Sequence, residues 1–186
     1  MPDKVQRVKG VNDILPADAR QWQALEKIVK EVMDRYAFGE IRPPIFEKTE
    51  LFARGVGEDT DIVSKEMYSF SDMSQSSLTL RPELTAGVVR SYIQNNMQQI
   101  SPVQKLWYEG PMFRQERPQK GRYRQFWQFG AEAIGSHTPE QDVEMIALFF
   151  AILKALGIEQ SVTLKINSVG DSESRALYRA ALQEYL

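Results

Sequence analysis

From residue 18 to residue 38, apolar side chains fall at Trp22, Leu25, Ile28, Val29, Val32, Met33 and Tyr36. That spacing predicts a long amphipathic helix. Pro16 stands near its start and Gly39 just past its end, the usual punctuation of a helix. Next comes Glu40-Ile41-Arg42-Pro43-Pro44-Ile45-Phe46, a short extended segment. Its two prolines have no N–H to give to a ladder, so it belongs at an edge or an interface. Residues 67–70 and 78–81 flank the polar run 71–77 and predict a hairpin. Val88, Val89, Tyr92, Ile93 and Met97 restore helical spacing over residues 85–97. Residues 103–113 and 123–134 read as two long strands. Thr138 as N-cap, Pro139 at the first helical position and Gln141 three residues after the cap predict a helix. It runs to about residue 156 and stops at Gly157. Residues 162–167 read as a further strand and 172–186 as a helix with no Gly or Pro to stop it.

Mostly antiparallel strands with helices between and around them predict an α+β chain. No strand is followed by GxGxxG or GxxxxGK(S/T), so the two common nucleotide folds have no support. A length of 186 residues suits one domain with a substantial core. The absence of cysteine excludes disulfides, thiolate metal sites and a cysteine nucleophile. The single histidine, His137, excludes any site that needs two; it sits in a loop before a helix cap and receives no catalytic role. A net charge of −2 excludes a uniformly basic nucleic-acid binder but not a local basic patch. No apolar run approaches the roughly 20 residues that span a bilayer. The opening residues lack the apolar stretch of a secretory signal.

Charge concentrates between the two long strands. Arg114, Arg117, Lys120, Arg122 and Arg124 share one loop with a single carboxylate, Glu116. Such a loop is either a solvated hairpin tip or a cradle for phosphate oxygens, which arginine grips bidentately. Alternation along a strand puts Arg124, Phe126, Gln128, Gly130 and Glu132 on one face. Gln125, Trp127, Phe129, Ala131 and Ala133 fall on the other, a core face. On the preceding strand, Tyr108, Gly110, Met112 and Arg114 also share a face. If the strands pair, these residues line either an open sheet face or a pocket for a small polar ligand plus a phosphate, with the glycines leaving room for it. Leu80-Arg81-Pro82-Glu83-Leu84-Thr85 ends a strand and starts a helix. There Glu83 and Thr85 serve either as helix caps or as partners for an ammonium group.

Phe113-Arg114-Gln115-Glu116-Arg117 followed by Gly121-Arg122-Tyr123-Arg124-Gln125-Phe126-Trp127-Gln128 resembles the second signature motif of class II aminoacyl-tRNA synthetases. The long helix leading to Ile41-Arg42-Pro43-Pro44 resembles their first motif, whose proline lies at a dimer interface. Lys9-Gly10-Val11-Asn12-Asp13-Ile14-Leu15-Pro16, Thr79-Leu80-Arg81-Pro82-Glu83 and Gly110-Pro111-Met112-Phe113-Arg114 are similar to histidyl-tRNA synthetases. The resemblance runs over essentially the whole chain. It implies a class II synthetase-type antiparallel sheet flanked by helices, incomplete in this chain. It also implies a homodimer through the first-motif region, a cytoplasmic location and no membrane partner. The implied substrates are histidine, ATP and a histidine tRNA, with Mg²⁺ neutralising the phosphates.

The resemblance also implies roles. Arg114 would be catalytic, holding the α-phosphate and the histidine carboxylate while charge builds between them. Glu116 would read the adenine amino group, Phe126 would stack on the adenine and Arg122 would bind the terminal phosphates. Glu83 and Thr85 would hold the histidine α-amino group, Gln128 would contact the amino acid near its backbone, and Glu132 would accept from the imidazole. No metal-ligating residue is identified. Leu84 stands where the family usually has glycine, and Trp127 replaces a smaller polar residue. The family's third motif, its histidine-specific RGLDYY-like and GGRYDGL-like segments and its anticodon-binding domain have no counterpart. Residues 1–186 are therefore expected to be the N-terminal portion of a catalytic domain, with very low activity alone. The alternative is a synthetase-like regulatory subunit of ATP phosphoribosyltransferase, a histidine-binding module. Such modules typically lose the arginine-rich loop that this chain keeps.

Overall fold

The computed structural model describes residues 4–56, 66–167 and 170–185. Helix α1, Pro16–Arg35, forms on the predicted stripe and buries Val29, Val32 and Met33. It ends before Gly39. Ala37 takes a left-handed φ of 58°, the Ala37 N–H donates to Asp34 O at 3.0 Å and the Phe38 N–H to Met33 O at 3.0 Å. This double closure is a Schellman turn with alanine in the place usually held by glycine. Phe38 is thereby driven into the core beside Met33. Burial of that ring, about 1.5–3 kcal/mol, offsets the roughly 1–2 kcal/mol cost of a left-handed alanine.

The main sheet has the order β1 (Gly39–Glu40), β5 (Gln104–Phe113), β6 (Gln125–Ile134). β1 runs parallel to β5, and β6 antiparallel. On one face Trp107 joins Val29, Val32, Met33 and Phe38 with Leu148 and Ile152 of α4, Pro139–Ala155. On the other, Leu106, Tyr108 and Met112 pack against Leu84 and Val88 at the start of α3, Thr85–Gln94. Pro43 and Pro44 follow β1 and join no ladder.

A second antiparallel sheet has the order β2 (Phe46–Lys48), β4 (Ser77–Leu80), β3 (Tyr68–Ser71). The hairpin turn is tied by Asp72 Oδ1, which accepts from the backbone N–H of Ser74 and of Ser76, both at 2.8 Å. The polarity of this sheet is inverted. Its inward face is a hydroxyl ladder: Thr79 is fully buried and bonds Ser69 at 2.8 Å and Thr49 at 2.9 Å. Its outward face presents Phe46 and Phe70 edge to face, with ring centroids 6.3 Å apart. Thr49 opens α2, Thr49–Val56, a helix the sequence reading did not anticipate. It is too short for a periodic stripe and is anchored by the buried ring of Phe52.

Several expectations are corrected. Residues 162–167 join no ladder among the described residues and stay exposed. Thr138 does take the N-cap position of α4 with Pro139 following, but its hydroxyl makes no cap bond. The Gln141 side chain turns to Glu144 instead, at 2.7 Å. The α3 spiral stops at Gln94 because Asn96 is left-handed, and a separate 3-10 turn covers Met97–Gln99. Trp127 and Phe129 are each about two-fifths exposed despite lying on the core face. β6 is the edge of the described sheet, so the core reaches them on one side only. Trp127 still packs on Trp22 of α1, with centroids 5.6 Å apart. Helix α5, Ser172–Tyr185, forms as predicted; residue 186 lies outside the described residues.

Candidate active site

The β5–β6 register decides which side chains meet. Met112 pairs with Phe126, Gly110 with Gln128, Tyr108 with Gly130 and Leu106 with Glu132. Directly paired residues share a face, so the predicted even-numbered face exists as one surface.

At one end of this face lies a carboxylate cluster. Thr85 Oγ1 donates to Glu132 Oε1 at 2.8 Å, and Tyr108 Oη donates to the same oxygen at 3.2 Å. Glu83 sits just before α3 and accepts from the Ala86 N–H at 3.1 Å. The capping reading of Glu83 therefore holds, and its carboxylate favours the positive end of the helix dipole. Burial pushes the Tyr108 phenol up to about 12, and the nearby Glu132 and Glu83 charges add to it.

The glycines leave room for this protein's own side chains. A Cβ at Gly130 would meet Tyr108 Oη at 2.4 Å, and one at Gly110 would meet Arg81 Nη2 at 2.4 Å. Arg81 is buried. Its Nε donates to Pro111 O at 2.9 Å and its Nη1 to Pro43 O at 2.8 Å. Burial lowers its pKa, because desolvation disfavours the cation. Its backbone continues the stitching: the Arg81 N–H donates to Ile45 O, and Arg81 O accepts from Phe113, both at 2.9 Å.

At the other end lie the arginines. Arg114 is held by Nε donation to Pro82 O at 3.0 Å, and its guanidinium rests 5.1 Å from the Phe126 ring centroid, a cation–π distance. The loop beyond is folded back by the Gln119–Arg122 bridge. Arg122 Nη1 lies 3.5 Å from Glu116 Oε2, an ion pair too long for a hydrogen bond. Glu116 Oε2 is consequently a buried acceptor with no donor. The N-terminal strap supports the loop: Gly10 O accepts from the Arg124 N–H at 2.7 Å. Gly10 has φ +87° and faces Pro118 and Arg124 too closely for a Cβ.

The structure thus brings Glu83, Thr85 and Glu132 into one cluster, Arg114 and Phe126 into a second, and Glu116 and Arg122 into a third. Gln128 stands exposed between the first two. A cleft of about 760 Å³ runs between α2 and α3 and reaches this face at Glu83 and Thr85. Tyr108, which alternation places on this face without a role, and Arg81, named only within its motif, prove to be site-building residues. The signal for both was available: each is a large polar side chain placed by alternation or turn against a glycine. Among the described residues no three His, Cys, Asp or Glu side chains gather into a possible metal cage.

Comparison with known proteins agrees with this architecture. The family model described as histidyl-tRNA synthetase matches residues 10–182. A histidine–tRNA ligase from Thermosynechococcus vestitus is 58% identical over 98% of this chain and 42% of its own length. The crystal structure of apo S. aureus histidyl-tRNA synthetase superposes with a TM-score of 0.70 at 44% identity, over 83% of this chain and 40% of that one. A structure titled as an ATP phosphoribosyltransferase regulatory subunit/histidyl-tRNA synthetase from Bacillus halodurans C gives 0.71 at 26% identity, over 84% and 39%. The sheet with its flanking helices is a class II synthetase fold. The chain belongs to the histidyl-tRNA synthetase family. It spans about two-fifths of the length of the relatives it matches.

Proposed function

We propose that this chain carries part of the catalytic domain of an ATP-dependent histidine–tRNA ligase: the floor of its amino-acid pocket and its phosphate-facing arginine loop. The observation that carries the reading is the single face of β5–β6, with Arg114 over Phe126 at one end and Glu132 gripped by two hydroxyls at the other. In this reading the histidine carboxylate attacks the α-phosphorus of ATP. A new phosphorus–oxygen bond forms, the bond to the β-phosphate bridge breaks and pyrophosphate leaves. Arg114 neutralises the charge that builds on the α-phosphate and orients the carboxylate. Phe126 carries the adenine, and Glu116, whose buried oxygen has no donor, accepts from its amino group. Arg122 holds the terminal phosphates. Glu83 and Thr85 take the α-amino group, Gln128 the backbone end and Glu132 a ring N–H. In the second step a ribose hydroxyl of the terminal tRNA adenosine attacks the acyl carbon and AMP leaves.

The described residues supply no cage for Mg²⁺, and the ion enters this reading only as a companion of the triphosphate. The missing length, with a third motif and an anticodon-binding domain, belongs to the complete ligase, which acts in the cytoplasm. A homodimer through the first-motif region is supported by the outward Phe46–Phe70 face and the adjoining exposed Pro44; Pro43 is buried within the chain and held by Arg81. The regulatory-subunit reading has a structural neighbour, but the intact Arg114–Glu116–Arg122 loop favours the ligase.

The test is amino-acid-dependent ATP–pyrophosphate exchange on this chain and on Arg114→Ala, run beside direct binding of histidine. The expected result is histidine binding, with exchange very low, confined to histidine and absent from the variant. Exchange with a different amino acid, or no binding of histidine by the folded chain, overturns the reading. Turnover comparable to that of a complete enzyme overturns the claim that the missing segments are needed.

A further inference from the structure

Tyr108 and Gly130 face each other across β5 and β6. The phenol ring occupies the volume that any side chain at position 130 would fill, with Oη, Cζ and Cε2 at 2.4, 2.5 and 2.7 Å from a Cβ there. The ring is buried, yet its hydroxyl reaches a carboxylate rather than a backbone group. It meets Glu132 Oε1 at 3.2 Å, and Thr85 Oγ1 meets the same atom at 2.8 Å. The two hydroxyls also approach each other at 3.5 Å. Both donors fall on one oxygen, so Glu132 Oε2 is left without a donor among the described residues. A carboxylate held this way cannot rotate freely, and its remaining lone pairs point in a set direction.

We infer that Tyr108 is a positioning residue: seated over Gly130 and acting with Thr85, it fixes Glu132 so that Oε2 accepts an N–H from the side chain of the bound amino acid. The inference rests on the reading of Glu132 as the acceptor for that side chain. Selectivity then comes from an acceptor that a ring without an N–H leaves unpaired, which is costlier to a wrong ligand than a poor fit. The phenol is suited to this task because burial keeps it protonated, and hence a donor, far above neutral pH.

The experiment compares histidine with β-(2-thienyl)alanine, whose ring has similar shape and no N–H, by NMR titration of this chain. Wild type, Tyr108→Phe and Gly130→Ala are used. Wild type is expected to prefer histidine by at least about tenfold, the worth of one hydrogen bond to a charged group. Tyr108→Phe keeps the ring and loses the hydroxyl. It is expected to lose about tenfold in histidine affinity while thienylalanine binding stays unchanged. Gly130→Ala, which evicts the ring, is expected to do the same. If Tyr108→Phe weakens both ligands equally, Tyr108 only supports the fold and the inference fails. If the variant keeps the wild-type preference, the inference fails and the proposed function stands. If wild type binds neither ligand, or both alike, the proposed function itself fails. A ligand-free check uses the Tyr108 ¹³Cζ resonance, which is expected to titrate near pH 12 in wild type and lower in Glu132→Gln. An unmoved titration removes the contact on which the inference depends.

Discussion

Arg81→Met keeps a side chain of similar length and removes every donor at a junction of three segments. The guanidinium gives two short bonds to carbonyls, Pro43 O at 2.8 Å and Pro111 O at 2.9 Å, and a weak third to Pro44 O at 3.4 Å. Each short bond from a charged donor contributes about 1.5–3 kcal/mol, roughly 3–6 kcal/mol gross. Relief of the buried cation's desolvation returns part of this. The net destabilisation expected is about 2–4 kcal/mol, because two acceptors lose their donors and methionine offers them nothing. With a urea slope of about 2 kcal/mol per molar, the unfolding midpoint falls by about 1–2 M at unchanged slope. Urea unfolding read by tryptophan fluorescence measures this, since Trp107 is 1% exposed and reports on the core directly. Arg81→Lys keeps the charge on one nitrogen and is expected to restore only part of the loss. An unchanged midpoint in Arg81→Met would refute the idea that this cation holds the proline segment to β5.

Gly110→Ala, whose methyl would strike Arg81 Nη2, is expected to cost about 1–3 kcal/mol as overpacking, read by the same urea curve. Stability at high pH tests Tyr108. Its folded pKa is raised to about 12 from an ordinary value near 10, so its contribution is complete below about pH 10 and is lost as pH rises towards 12. Tyr108→Phe is expected to flatten that alkaline decline in a series of melts. Phe46→Glu with Phe70→Glu is expected to convert a dimer to monomers in sedimentation without changing far-ultraviolet circular dichroism; a monomeric wild type at high concentration counts against the interface. Arg114→Ala removes both the partner of Pro82 O and the cation over Phe126. It is expected to weaken ATP binding at least about tenfold by calorimetry, one charge-assisted contact being worth that much.

Apolar period placed α1 and alternation the β5–β6 pair, while cap, stop and turn residues placed α4 and the hairpin. The same alternation put Phe126, Gln128 and Glu132 together before any pairing was known. It failed where a neighbour decides. Gly110 and Gly130 read as space for a ligand, whereas Arg81 arrives from β4 and Tyr108 from across the ladder. Trp127 and Phe129 read as core, but burial depends on what lies beyond the edge of β6. Residues 162–167 alternate like a strand, and a strand needs a ladder partner that alternation cannot supply. Ala37 shows a composition rule overruled by packing: the turn wanted glycine, and the burial of Phe38 carried an alanine instead. The roles of Glu83 and Thr85 were locally ambiguous. Glu83 does cap α3 and still borders the cleft, so the two readings were never exclusive.

The central claim is that the face shared by β5 and β6 holds a selective amino-acid site. Calorimetric titration of the folded chain and of Glu132→Gln with each standard amino acid tests it most directly. Saturable heat from histidine alone, lost in Glu132→Gln, is the predicted result. Equal heats from several amino acids, or histidine binding undisturbed by Glu132→Gln, would contradict it.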